Sequence, residues 1–353
     1  MDDESFISGY FKKNRSKILL TVIFVILSAI MVFVTLGFGV YRISVSEAIK
    51  VVFDIIGGND VNYHDRIYIW EGRLPRALMA LVVGAGLALC GCVMQNVMHN
   101  PMAEPYTMGI SSGAFFGVVI FMVFGISVLP WMGDSYFAMV VNAFLSALIP
   151  VAVILVITRF RTMTSTGMIL IGIAILFLFS SITQMILLSA SSETLASAYA
   201  WRVGSLSNRT WEELAVVAPV VIVVSIVIFT MTRKLDMMYM GDRNAQTVGI
   251  NPNRVRLFSM LIVSVMTATI VCFTGTIGFI GLVAPHVARM IVGSLNKYMM
   301  PFSMAFGAFF LLAADTIAKI SGANGLPVGV ISSLVGGPMF VYILIKRGKK
   351  VWS

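Results

Sequence analysis

The chain alternates long apolar runs with short polar stretches. Crossing the bilayer's ~30 Å hydrocarbon core takes about 20 mostly apolar residues in a helix. Ten segments meet that measure: 18–40, 74–95, 108–129, 135–158, 167–190, 213–232, 257–274, 276–293, 301–319 and 327–345. None shows the strict apolar–polar alternation of a membrane β-strand. The pattern predicts an all-α, polytopic membrane protein of about ten transmembrane helices. It forms one domain over 1–353, with 1–17 as a short polar N-terminal segment. The third span opens in a Gly/Ser-rich stretch, and the seventh and eighth lie close together. Residues 41–72 and 191–212 are the two substantial polar segments on one side, and 233–256 is the main loop on the other.

Composition agrees. Of 353 residues, 58% are hydrophobic and 12% charged, against about 45–50% and about 25% in soluble domains. This excludes an ordinary soluble enzyme and a disordered chain. The first span is a retained helix. Its apolar run exceeds a signal peptide's ~7–15-residue core, and no small-residue cleavage site follows. The net charge of +9 fits cationic loops facing the cytoplasm, and no nucleic-acid motif accompanies it. With the N-terminus placed inside, sixteen Lys/Arg fall on the cytoplasmic side and eight outside. That orientation puts both termini in the cytoplasm of a multi-pass cell-membrane protein. Arg73, Arg76 and Lys319 come out outside, and 241–256 inside. Cys90, Cys92 and Cys272 lie in apolar runs and read as small packing residues.

Several chemistries are missing. There is no G-x-x-x-x-G-K-[ST], so ATP has no P-loop in this chain. There is no H-E-x-x-H, and His64, His99 and His286 have no ligand spacing. No catalytic set, metal site or cofactor of its own is expected.

What remains is a set of motifs at span ends. Arg73-Leu-Pro-Arg76 opens span two, with Pro75 in a helical first turn. The two arginines are either interface cations or a docking site for an acidic partner. Asn100-Pro101-Met102-Ala103-Glu104-Pro105 cannot continue a helix. It is either a tight inner turn or an irregular element narrowing a pore. Gly109, Gly113 and Gly117 form a small-residue stripe for close helix packing. In 241–256, Asp242 is a candidate cap for a short helix near Arg243, with Gly249 its stop. That helix is either a solvated loop element or a docking element. His286 and Arg289 share a face in span eight and read first as packing residues. Asp315 and Lys319 have the i,i+4 order that favours an ion pair. Trp201 and Trp211 fit an interfacial belt.

These motifs, in this order, resemble the FecCD family of membrane permease subunits of ATP-binding-cassette importers for iron–siderophores, haem and cobalamin. The resemblance runs from about 17 to 348. It is carried by Arg73-Leu-Pro-Arg76, by Gly84-Ala85-Gly86, Gly91, Gln95 and Asn100-Pro-Met-Ala-Glu-Pro105, and by Gly278-Phe-Ile-Gly-Leu-Val-Ala-Pro-His286. Ala314-Asp315 and Leu326-Pro-Val-Gly329 complete it.

The resemblance implies a type II importer fold with ten helices per subunit and a path between two permease subunits, here a homodimer. Two cytoplasmic ATPases, which bind the ATP and Mg, would dock on a coupling helix at 241–251. That helix carries Gly241, Asp242, Arg243, Ala245, Val248 and Gly249. An external substrate-binding protein would present acids to Arg73, Arg76 and Lys319. Lys319 stands where the family has arginine and so lacks the bidentate fork. The cytoplasmic gate would fall on Asn100, Pro101 and Met102. Many relatives carry Glu just before Leu-Pro-x-Gly, where this chain has Asn324-Gly325-Leu326. The expected function is import of a metal chelate, a ferric siderophore before haem or cobalamin. Among rivals, an ion-coupled secondary transporter would want acids near the membrane midplane. Glu104 and Asp315 are expected near membrane edges. An intramembrane enzyme would have only His286 and Arg289 to work with.

Overall fold

The computed structural model describes residues 3–347 except 40, 42, 162 and 322–324. Arg42, Asn324, Lys349 and Lys350 lie outside the described residues. Among those described, every regular element is helical. The helices are α1 (Asp3–Leu36), α2 (Val45–Ile56) and α3 (Tyr63–Asp65), which runs through a π-helical stretch (Arg66–Arg73) into α4 (Leu74–Met98). Then follow α5 (Ile110–Phe124), α6 (Tyr136–Phe160), α7 (Ser165–Leu187), α8 (Ser192–Arg202) and α9 (Trp211–Thr230). The chain ends with α10 (Thr232–Tyr239), α11 (Asp242–Thr247), α12 (Pro252–Thr274), α13 (Ile280–Val292), α14 (Asn296–Ile320) and α15 (Val328–Arg347).

Each of the ten expected spans corresponds to one helix. Among the described residues seven are long and apolar enough to cross a membrane; α15 runs for 20 residues, Val328–Arg347, whereas Ile110–Phe124 and Ile280–Val292 are shorter. The difference is physical. Residues 99–109, irregular but for one 3-10 turn at Pro105–Met108, and the non-helical 275–279 lead into α5 and α13. Such backbone is tolerated at membrane depth only where protein or a water-filled path covers it.

The bundle is built around α4. Its apolar window is 78% buried, that of α12 72% and that of α14 61%, against 17% for α1 and 22% for α7. The centre is therefore α4, α12 and α14, and α1 and α7 are peripheral, with most of their apolar surface exposed. Small residues set the closest approaches. A Cβ at Gly113 would lie 2.5 Å from the Ser146 carbonyl, and one at Gly307 would lie 2.6 Å from that of Gly84. The Gly109–Gly117 stripe thus seats α5 on α6, as expected of small residues at that spacing. Phe24 of α1 meets the rings of Phe302, Phe306 and Phe309 of α14 edge-on, with centroids 5.3–5.8 Å apart.

The polar segments are more ordered than a loop reading implies. Within 41–72, α2 is an amphipathic helix opened by a capping box. Glu47 N–H donates to Ser44 Oγ at 3.2 Å and Ser44 N–H to Glu47 Oε2 at 3.0 Å. The Ser44 hydroxyl, which donates to Glu47 Oε2 at 2.7 Å, and then the Ser44 N–H hold the Glu47 carboxyl below its usual range. The Ser44-x-x-Glu47 signature was present in the sequence. The N-terminal segment is likewise not a separate tail, because α1 starts at Asp3 and is continuous with the first span. Trp211 and Trp201 are packed inward. Trp211 Nε1 donates to the Trp70 carbonyl at 2.9 Å, and Trp201 stacks on Phe115.

Candidate functional site

Two polar clusters sit at the two ends of α4. Arg76 and Val97 mark them. At about 1.5 Å per residue they are about 31 Å apart, one hydrocarbon thickness.

At the first end the three expected cations converge. Arg73, Arg76 and Lys319 line one cavity of about 360 Å³ with Gly39, Tyr41 and Asn208. None is a free surface cation. Arg76 grips Asp315 through Nε and Nη2 at 2.8–3.0 Å and donates to Ser207 Oγ at 3.2 Å. Lys319 Nζ lies 3.4 Å from Asp315 and donates to Thr35 Oγ1 at 3.0 Å. Arg73 is buried and donates to the Leu36 and Tyr41 carbonyls. The i,i+4 Asp315–Lys319 pair was legible. Its bidentate partner Arg76, from another helix, was not. Arg76 and Lys319 share one carboxylate and Arg73 binds only carbonyls, so the cavity keeps a positive surplus.

At the other end, α11 is a short exposed helix. Gly249, at φ +79°, closes it by donating to Gln246 O, while Ile250 N–H reaches Ala245 O, both at 3.0 Å. This is a Schellman stop, as Gly249 predicted. Asp242 has a different place from the expected one. Gly241 is the N-cap and makes no side-chain cap bond. The Asp242 carboxylate instead receives Arg256 Nη2 at 2.8 and 2.9 Å. Arg243 and Val248 are exposed, while Ala245 is buried against the bundle.

In the sequence Arg256 reads as one more cation beside the bilayer. It is fully buried. Its Nε donates to the Val97 carbonyl at 2.8 Å and its Nη1 to Asn253 Oδ1 at 3.2 Å. His99, the left-handed C-cap of α4, meets the Met238 carbonyl through Nε2 and lies 4.0 Å from Asp242. Asn100, Pro101 and Met102 follow at once. Asn100 Oδ1 accepts from Met102 N–H at 2.8 Å, fixing the turn, and the Met102 side chain is exposed.

Glu104 corrects an expectation. It does not lie at a membrane edge. A Cβ on Gly281 would lie 3.4 Å from its Oε2 and 3.3 Å from the Leu87 carbonyl. Leu87 sits mid-helix in α4, about 16 Å in from Met98. The 99–109 segment therefore re-enters the bundle, ending at Gly109 against Pro150 of α6. Two prolines signalled a break in the helix but not its depth.

His286 and Arg289 are buried. Arg289 donates to Gln95 Oε1 at 3.4 Å and lies over the Tyr239 ring, and His286 packs edge-on against Phe340. The three cysteines are free and buried. Among the described residues no group of three or more His, Cys, Asp and Glu side chains could hold a metal.

The architecture is that of a multi-pass helical membrane permease with distinct polar sites at its two faces. The FecCD transport family model matches residues 22–346, and the chain belongs to that family. It is 32% identical to the Fe(3+)-citrate import system permease protein YfmE of Bacillus subtilis, over 96% of this chain and 98% of the relative. It is 33% identical to the hemin transport system permease protein HmuU of Yersinia pestis, over 82% and 85%. Among solved structures, it superposes on an inward-facing structure assigned to a metal-chelate type ABC transporter. The TM-score is 0.81 at 27% identity, covering 92% of this chain and 98% of that one.

Proposed function

We propose that this chain is the permease of an ATP-driven importer that carries a metal chelate into the cell, and that the chelate is a ferric siderophore. The observation that carries the reading is the pair of unlike polar clusters at opposite ends of α4. The cavity of Arg73, Arg76 and Lys319 keeps a positive surplus that suits acidic residues of an external binding protein. The short helix α11, with Arg243 and Val248 outward, suits a groove on a cytoplasmic ATPase. Both termini are then cytoplasmic. A second copy of the chain completes the path, and the two ATPase subunits hold the ATP and Mg. Relatives named for ferric citrate, ferric hydroxamate and ferric enterobactin favour a ferric chelate over haem or cobalamin.

The chain makes no bond to the cargo's metal in this reading. Its work is positional. Docking outside and nucleotide closure inside bias the helices between outward-open and inward-open states. Asn100, Pro101 and Met102 close the path on the cytoplasmic side.

The test is uptake into liposomes that hold the chain with its cognate ATPase and binding protein. ⁵⁵Fe-labelled ferric citrate, a ferric hydroxamate, haemin and cyanocobalamin are offered separately, with ATP on the ATPase side. Uptake of one ferric chelate is expected. The isosteric Asn208→Asp variant adds a negative charge beside the cavity without touching its ion pairs. It should weaken binding-protein docking by about five-fold, and more at low salt. Uptake of haemin or cyanocobalamin alone would reassign the cargo. ATP hydrolysis that ignores the binding protein and every chelate would refute the importer.

A further inference from the structure

The inner cluster ties together three parts that a transport cycle has to move as one. Arg256 lies near the start of α12 and is buried. Its guanidinium makes four hydrogen bonds in three directions: two to Asp242 on α11, one to Asn253, and one to the Val97 carbonyl. Val97 is in the last turn of α4, where carbonyls have no partner within the helix. Two residues on, His99 ends α4 and contacts α10 through the Met238 carbonyl. The next three residues are Asn100, Pro101 and Met102.

We propose that Arg256 is the positioning residue that couples α11 to the 99–102 turn. This rests on the reading that α11 receives the ATPase and that the turn gates the path. A planar fork is needed for the task. Its Nη2 holds both oxygens of the Asp242 carboxylate and its Nη1 holds Asn253, while Nε holds a carbonyl on a different helix. A displacement of α11 therefore pulls on the end of α4 without passing through the 248–251 connection. Asp242 is the handle. Its side chain is 43% exposed, whereas that of Arg256 is 1% exposed, so the pair spans from the surface of α11 to the interior of the bundle.

The experiment reads the gate directly and needs no cargo. Met102→Cys places a thiol on an exposed side chain, and the native cysteines are buried. The chain is purified with its ATPase in nanodiscs. Labelling by a membrane-impermeant maleimide is timed with and without ATP plus vanadate. Nucleotide should change the labelling rate in the parent by a factor within the ~5–150-fold range of coupling between sites. Arg256→Lys keeps the charge and loses the fork, and Arg256→Gln loses the charge as well. Arg256 lies buried beneath α11, so both variants should still bind the ATPase and hydrolyse ATP, yet bring the nucleotide-dependent ratio close to one. If Arg256→Lys does not fold, Arg256→Gln is read in the same assay. A parent-like ratio in an assembled variant overturns the proposal. So does loss of ATPase binding in a folded variant, which would make Arg256 a support of the docking surface alone. A parent chain that never binds the ATPase would instead overturn the importer reading beneath it.

Discussion

Replacing Asp315 with Asn removes the one carboxylate that serves two buried cations. Asp315 is fully buried, and the side chains of Arg76 and Lys319 are only 16% and 4% exposed. Unit charges about 4 Å apart interact by about 4 kcal/mol at the effective dielectric of such sites, and the desolvation already spent on them is not recovered. Breaking a buried pair from one side costs about 3–5 kcal/mol. Because the cluster lines an open cavity, the lower figure applies, and Asp315→Asn should cost about 3 kcal/mol. In a fluorescence melt of the chain in nanodiscs this corresponds to a fall of about 4 °C. Lys319→Met removes the surplus cation and leaves the bidentate Arg76–Asp315 pair intact, so it should cost less than about 1 kcal/mol. The double variant should lose less than Asp315→Asn alone, with a coupling of about 1–2 kcal/mol. High salt should change none of this much, because the ions are buried. Equal losses for Asp315→Asn and Lys319→Met, or strict additivity in the double variant, would refute charge compensation as the basis of the cluster.

Two further outcomes follow from the packing. Gly113→Leu drives a side chain into the Ser146 carbonyl and Pro150, whose nearest atoms lie 2.5–3.1 Å from a Cβ at that position. It should destabilise by about 1–3 kcal/mol or more, whereas Gly58→Ala, where a Cβ meets nothing within 4 Å, costs only its left-handed backbone strain. The melting temperatures of the two separate the effects. For α2, the Glu47 carboxyl is held low by Ser44, so its contribution is present above the unfolded carboxylate pKa. That contribution is lost as pH falls through the lower folded value. After correction for intrinsic exchange, amide hydrogen exchange across 45–56 should speed up on acidification. Ser44→Ala should speed it at neutral pH, at a cost of about 1 kcal/mol, and remove most of the pH dependence.

The chain's local chemistry wrote much of this in advance. A run of about 20 apolar residues has few alternatives to a membrane helix, so all ten helices were legible. So were the relations that depend on helical repeat alone: Pro75 in the first turn of α4, Gly249 ending α11, the glycine stripe of α5, and Asp315 with Lys319 one turn apart. Each needs only a period of about 3.6 residues.

Contacts between helices were beyond that reach. Arg76 finds Asp315 across 239 positions, and Arg256 finds the Val97 carbonyl across 159. Nothing in either neighbourhood names its partner, because any buried cation will accept any well-placed carboxylate or carbonyl. Glu104 shows the same limit in depth. Its flanking prolines forbid a helix, but only the packing of Gly281 against α4 carries the re-entrant segment to the middle of the bundle. The sequence by itself determined the helices, their polar ends and the family. Tertiary packing decided which charges meet, because burial makes pairing obligatory while leaving the choice of partner to geometry.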